Sequence, residues 1–253
     1  MSSLQIYRKI EDGIREGFDV HKFGRNPNVD NAVTFETIWN GGGIYTGHPT
    51  GSAETLEIFS GSANDTAAGS GAQTVKIYNL LDENFNKMPD VTVTLNGVTP
   101  VSLGAQTYSR CSKVRVLTAG STGANEGALT LRHTTTTTNI MAVLPIGYNS
   151  TMIVAYTIPN NRIAFIRKVY AGISGKVSAN CPVRLLVRPL GETWQVQEEF
   201  ALLASGSSTV ERDYSIPKGP YAGGTDVRID ASSDTNNTAI SASFDLVETT
   251  WNT

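Results

Sequence analysis

The sequence predicts an all-β protein: two antiparallel β-sandwich or jelly-roll-like domains, preceded by an extended N-terminal arm with at most one short helix. Three observations point there. Charged residues are only 17% of the 253-residue chain, while Gly contributes 24 and Thr 29. Trading charge for Thr and Gly favours strands and turns over helices. Apolar and polar residues alternate with period two in segment after segment beyond residue 53, the pattern of strands with one wetted face. Helical spacing is confined to the N-terminal end.

There, Ile6, Ile10, Ile14 and Phe18 recur four apart and would align on one face of a short helix. Gly13 and Gly17 interrupt it. A helix this short is marginal alone, so it needs its own body or another subunit to lie against.

Residues 20–52 set Phe23, Phe35, Trp39 and Tyr45 among Gly24, Pro27, Gly41, Gly42, Gly43, Gly47, Pro49 and Gly51. No helix or long strand fits. Rings offer contact area and glycines let the chain bend, which describes an arm docking on a surface. The alternative is a loop folded back on its own domain.

Strand patterns follow. Val75 and Ile77, Val91, Val93 and Leu95, Val114 and Val116, and Leu129 and Leu131 alternate with polar neighbours, broken by turns such as Asn96-Gly97. After the run Thr134 to Thr138 the alternation resumes in Val154, Tyr156 and Ile158, then Val183, Leu185 and Val187, then Val227 and Ile229, then Ile240, Ala242, Phe244 and Leu246. The Thr run marks a boundary. The expected organisation is therefore an arm over 1–52, a first β-sandwich over 53–138 and a second over 139–253, in keeping with domains of roughly 100–150 residues.

The net charge of −3 lacks the basic excess that phosphate neutralisation demands, so nucleic acid is not an expected partner. No apolar run approaches the ~20 residues of a membrane span, and the N-terminus has no apolar signal core; a soluble protein without membrane partners is expected. Cys111 and Cys181 stand 70 positions apart in strand-like contexts, and buried free thiols are the reading, with a structural disulfide as the alternative.

His21, His48 and His133 share no metal-ligand spacing, and neither a nucleophile elbow nor a phosphate loop is present. The expected protein holds no metal or cofactor and is not an enzyme. Adjacent Glu198 and Glu199 would point to opposite faces of a strand. Asp230 to Asn237 read as a polar hairpin loop, with a calcium site as the alternative, although the glycine and bidentate Glu of an EF-hand are missing. Binding or architecture remains. Under a recognition role, Trp194 or Tyr221 would line a shallow glycan site.

The stretch Lys22-Phe23-Gly24-Arg25-Asn26-Pro27, followed by Glu36-Thr37-Ile38-Trp39-Asn40-Gly41-Gly42-Gly43-Ile44-Tyr45, resembles the opening of a family of tailed-bacteriophage virion structural proteins, with a KFGRNP motif leading into E-x-I-W-x-GGG-x-Y. The likeness extends through Glu54 to Ile58, Thr94 to Val101, Arg115 to Gly120 and Asn237 to Leu246, so most of the chain is covered. It brings no catalytic residues. It implies a protein assembled in the host cytoplasm and placed on the particle surface, with capsid cement, tail, baseplate and fibre roles open. The implied partners are the major capsid protein or another virion protein, and further copies of the chain, a trimer being favoured. Phe23, Arg25, Phe35, Trp39 and Tyr45 are then the expected contact residues of the arm.

Overall fold

The computed structural model describes residues 3–30 and 34–251. Residues 31–33, inside the expected arm, lie outside the described set. The all-β expectation with one short helix holds. The chain divides into two compact units: Met1–Ile44 with Val154–Thr253, and Tyr45–Ile153. The second is thus an insertion within the first, which replaces the expected boundaries at 52 and 138. The Thr run is not a linker; it forms a turn between two paired strands of the inserted unit.

The first unit is built on a hairpin of two long strands, β11 (Arg162–Arg188) and β12 (Gln195–Ala222). Its register carries a geometric demand. Ile163, near the start of β11, pairs with Ala222, whereas Arg188, at its end, pairs with Asp226 of β13 (Asp226–Ala231). The four steps from Ala222 to Asp226 reach about 14 Å. A straight strand from Ile163 to Arg188 would run roughly 80 Å. The ribbon must therefore fold back on itself. Register shifts between Ser174 and Lys176, and between Lys176 and Ala179, mark the place, since bulges bend a strand.

The other edge of β11 is taken in two pieces. β13 follows its second half, and β14 (Thr238–Thr250) follows its first. Between them the chain crosses the bend, held by bonds from Ser232 N to the Pro182 carbonyl (3.1 Å) and from Asp234 N to the Asn180 carbonyl (3.1 Å). Asn180 N returns a bond to Asp234 Oδ1 at 2.8 Å. The polar loop expected there is this crossing.

The fourth row comes from both sides of the insertion. β1 (Phe18–Val29) pairs β14; β2 (Glu36–Thr37) and β10 (Ala155–Thr157) pair β13. Val154 N bonds the Ile38 carbonyl at 3.2 Å, so the row is stitched across the insertion point. Ends brought this close let a domain be inserted without disturbing the host sheet.

Folding the seven-stranded sheet turns one face inward on itself. Ala164, Ile166, Val169, Ala171 and Ile173 of the first half of β11 meet the same core as Cys181, Val183, Leu185 and Val187 of the second, joined by Val227, Ile229, Phe244 and Leu246. Alternation with period two makes that face continuous. On the opposite face, Ile163, Phe165 and Val247 receive α1 (Ser3–Glu11) through Tyr7, with Ile6 and Ile10 partly buried. The expected apolar stripe is half right. Ile14 lies beyond the helix and is exposed, and Phe18 belongs to β1 beneath the Arg162 guanidinium.

The inserted unit pairs β3 (Leu56–Ser60), β6 (Val101–Ser102), β8 (Leu129–His133) and β9 (Ile140–Leu144) in one sheet, and β4 (Ala72–Tyr78), β5 (Val91–Thr94) and β7 (Lys113–Ala119) in another. Two carboxylates organise its turns. Fully buried Asp65 accepts from Ser60 Oγ and from the backbone N–H groups of Ala72, Glu126 and Gly127, which satisfies a charge that burial would otherwise make costly. Glu54 accepts from the N–H groups of Thr135 and Thr136 and from the Thr136 hydroxyl, with His133 Nδ1 at 3.5 Å. Burial pushes the Glu54 carboxyl up, but the Thr136 and Thr135 bonds and the His133 charge outweigh it and hold it down at about 2.

Two outcomes follow for stability. Gly24 faces inward opposite Ala242, where a Cβ would collide with the Ile38 carbonyl and Val154 nitrogen of the facing half. Gly24→Ala should cost about 1–3 kcal/mol in urea unfolding, while Gly51→Ala, which meets open space, should be neutral. Equal midpoints would refute the close approach. Glu54 should stabilise the inserted unit fully above its ordinary value near 4.5 and lose that contribution as pH falls toward about 2. Thermal melts across that window should fall more steeply for the native protein than for Glu54→Gln.

Candidate interaction surface

β1 is an edge strand, paired only with β14 among the described residues. Its inward positions Gly24 and Asn26 oppose Ala242 and Ile240, so Phe23 and Arg25, opposite Ser243 and Ser241, face outward. The Phe23 ring is 40% exposed. No carboxylate pairs with Arg25 among the described residues. An uncovered ring and an uncompensated guanidinium thus stand two positions apart on one face of a sheet edge.

The rest of the segment is directed inward by one carboxylate. Glu36 accepts from Asn26 Nδ2 at 3.0 Å, from Asp30 N at 3.2 Å and from Gly43 N at 2.9 Å. Ile38, two residues on, sits in the core and donates its N–H to Ile229. Trp39 Nε1 donates to the Gly43 carbonyl at 3.1 Å, and the ring lies against Gly41, where a Cβ would collide with it. The glycines of the GGG motif therefore make room for a ring and close a turn. They do not confer reach.

This corrects two of the five expected contacts, Trp39 and Tyr45. Trp39 and Tyr45 are each only 3% exposed within their own chain. Tyr45 Oη donates to the Met141 carbonyl at 2.8 Å, and its ring meets His48 edge-on. Phe35 is half-buried with the Arg184 guanidinium 3.7 Å from its ring centre. Large rings gain more by burial in the nearest available core than by waiting for a partner. The segment is extended, as expected, but it is laid into its own sheet as a strand. Phe23 and Arg25 keep their outward position. Beside them the segment walls an open pocket of about 600 Å³, lined by Asn26, Asn28, Asp30, Phe35, Glu36 and Ile44.

Other sequence candidates are also placed. Glu198 and Glu199 do point apart: Glu199 pairs with Arg184, while Glu198 meets Tyr214 Oη, Lys218 and Arg212. Burial and the Glu198 carboxylate push the Tyr214 hydroxyl well up, and burial raises Tyr221 to about 12. Tyr221 donates to Gln197, and Trp194 lies under the Arg188 and Arg228 guanidiniums, so neither ring is an open sugar platform. Asp230 is paired with Arg228 at 2.8 Å and buried; burial pushes its carboxyl up. Cys111 and Cys181 are free and buried. The Glu36 clasp is not legible in the sequence, because a carboxylate that gathers donors from ten and six residues before it and seven after it has no periodic signature.

No protein-family model and no curated protein matches the chain. Among solved structures, a mitogen derived from Yersinia pseudotuberculosis aligns at 16% identity and a TM-score of 0.19, covering 39% of this chain and 84% of that one. Empty particles of the cowpea mosaic virus top component align at 8% identity and 0.24, covering 77% and 82%. A structure of infectious bursal disease virus, Gx strain, aligns at 8% and 0.27, covering 92% and 72%. Scores this low carry no inference about this chain.

Trp39→Ala should destabilise the fold by about 3–5 kcal/mol, as emptying a core of a large ring does. Phe23→Ala should stay within roughly 0.5 kcal/mol of the native protein, as expected of an exposed side chain. Chemical denaturation of both variants checks the division: a Trp39→Ala protein as stable as the native one would return that ring to the surface.

Proposed function

We propose that the protein is a structural component of a bacteriophage virion, a cement or decoration protein that holds a neighbouring capsid subunit along its N-terminal strand. The observation that carries this reading is the outward pair Phe23 and Arg25 on the free edge of β1. It lies inside the KFGRNP stretch on which the family resemblance rests. An exposed ring beside an uncompensated guanidinium suits a partner offering an apolar pocket and a carboxylate.

The β-body supports the role. A sheet folded on itself with a stitched insertion point leaves few loose ends for a protease, as a particle surface requires. Weak contacts repeated around a closed shell sum to a cohesion that no single interface has.

Quantitative mass spectrometry of purified virions tests the reading. Several hundred copies per particle are expected for a shell protein; a handful or a dozen would place it in the tail. Phe23→Ala with Arg25→Ala should lower occupancy about tenfold, the equivalent of ~1.4 kcal/mol per site, while the isolated variant melts like the native protein. Full occupancy of the double variant would remove the strand from the contact.

A further inference from the structure

The inserted unit carries a second outward face that the N-terminal motif does not explain. Along β7, Val114 points into the core while Lys113, Arg115 and Leu117 alternate outward and are exposed. Their neighbours on β4 are Tyr78, opposite Lys113, and Lys76, opposite Arg115. Lys76 has an acid partner, Asp90, at 3.2 Å. No carboxylate pairs with Lys113 or Arg115 among the described residues.

On the other side of β7, a bridge between Arg115 and Ser150 and a bond from Val116 N to the Asn149 carbonyl (2.9 Å) lay the chain after residue 147 alongside. This brings Tyr148 beside Leu117, with Ile146 two residues earlier in the turn closed by the bond from Tyr148 N to the Pro145 carbonyl. All three are open to solvent: Leu117 49%, Tyr148 50% and Ile146 63% exposed. One exposed apolar side chain is ordinary; three on adjoining chain, flanked by free cations, are not.

The face is also held rigid. Buried Asn125 donates through Nδ2 to the Pro145 carbonyl at 2.8 Å, and its Oδ1 accepts from Asn149 N at 3.1 Å. Asn149 Oδ1 in turn accepts from Asn125 N at 3.1 Å. The turn carrying Ile146 and Tyr148 is thus clamped at both ends, so docking would cost little ordering of the backbone.

We propose that this face docks an acidic protein surface: an aliphatic or aromatic ridge seated on Leu117, Tyr148 and Ile146, with carboxylates meeting Lys113 and Arg115. Tyr and Arg at the rim of an aliphatic patch are the residue types that protein interfaces favour. Leu117 and Ile146 have no use for a sugar, which argues against a glycan. In the particle this partner is a neighbouring virion subunit, so the identity of the partner rests on the function proposed above.

The test uses the full chain with Arg115→Glu and Leu117→Asp together, both exposed and outside the core. Virions assembled with this variant should hold about tenfold fewer copies than virions with the native protein, and the variant's melting curve should match the native one. Should the pair misfold, Lys113→Glu alone, a single exposed charge, carries the same expectation at smaller size. Native-level occupancy of a folded variant overturns the face while leaving the virion reading intact. Absence of the native protein from virions overturns both. Two other results also overturn the proposed partner: self-association of the native protein in sedimentation velocity that the variant loses, and native retention on a heparin column that the variant loses while its virion occupancy is unchanged.

Discussion

The short reach between Ala222 and Asp226 governs the first unit. Because those residues pair with opposite ends of β11, the long hairpin has no straight conformation open to it. Every strand beside it must turn the same corner. β13 and β14 do so as two pieces joined by the crossing at 232–237, and the N-terminal row does so as β1 and β2. A single sheet thereby makes its own sandwich. Its apolar face finds its partner in itself, with no second sheet to recruit.

Folding a sheet over leaves two open rims, and each is closed by different chemistry. At the β12 rim, inward positions near the bend's far ends are polar. Glu198 from one half meets Tyr214, Lys218 and Arg212 from the other, a charge cluster that satisfies itself across the gap. At the β1 rim the backbones approach so closely that only Gly24 fits between them and the Ile38 and Val154 chain. Polar interlock at one side and glycine contact at the other set the separation of the halves.

The run from Lys22 to Tyr45 has a structural role of its own. It spans the place where the chain leaves the host sheet for the inserted unit. Glu36 gathers the turn, Ile38 enters the core, Trp39 is sealed by Gly41, and Tyr45 anchors the first residues of the insertion. A motif of rings and glycines reads equally well as a grasping arm or as an exit joint. Phe23 and Arg25, which face away from the joint, remain available to another molecule.

What the sequence determined by itself is local: period-two alternation marked Val183, Leu185 and Val187, or Ile240, Ala242 and Phe244, as one face of strands, and all of them are buried in one core. Opposite facing of Glu198 and Glu199 followed from the same rule. Chain order, by contrast, is silent about which strands meet. The strip joining 18–38 to 226–250, the insertion of 45–153, and the burial of Trp39 arise from contacts between residues far apart in sequence. Alternation specifies a face, while the choice of which face covers it depends on the free energy of the whole folded sheet, and so belonged to the tertiary structure alone.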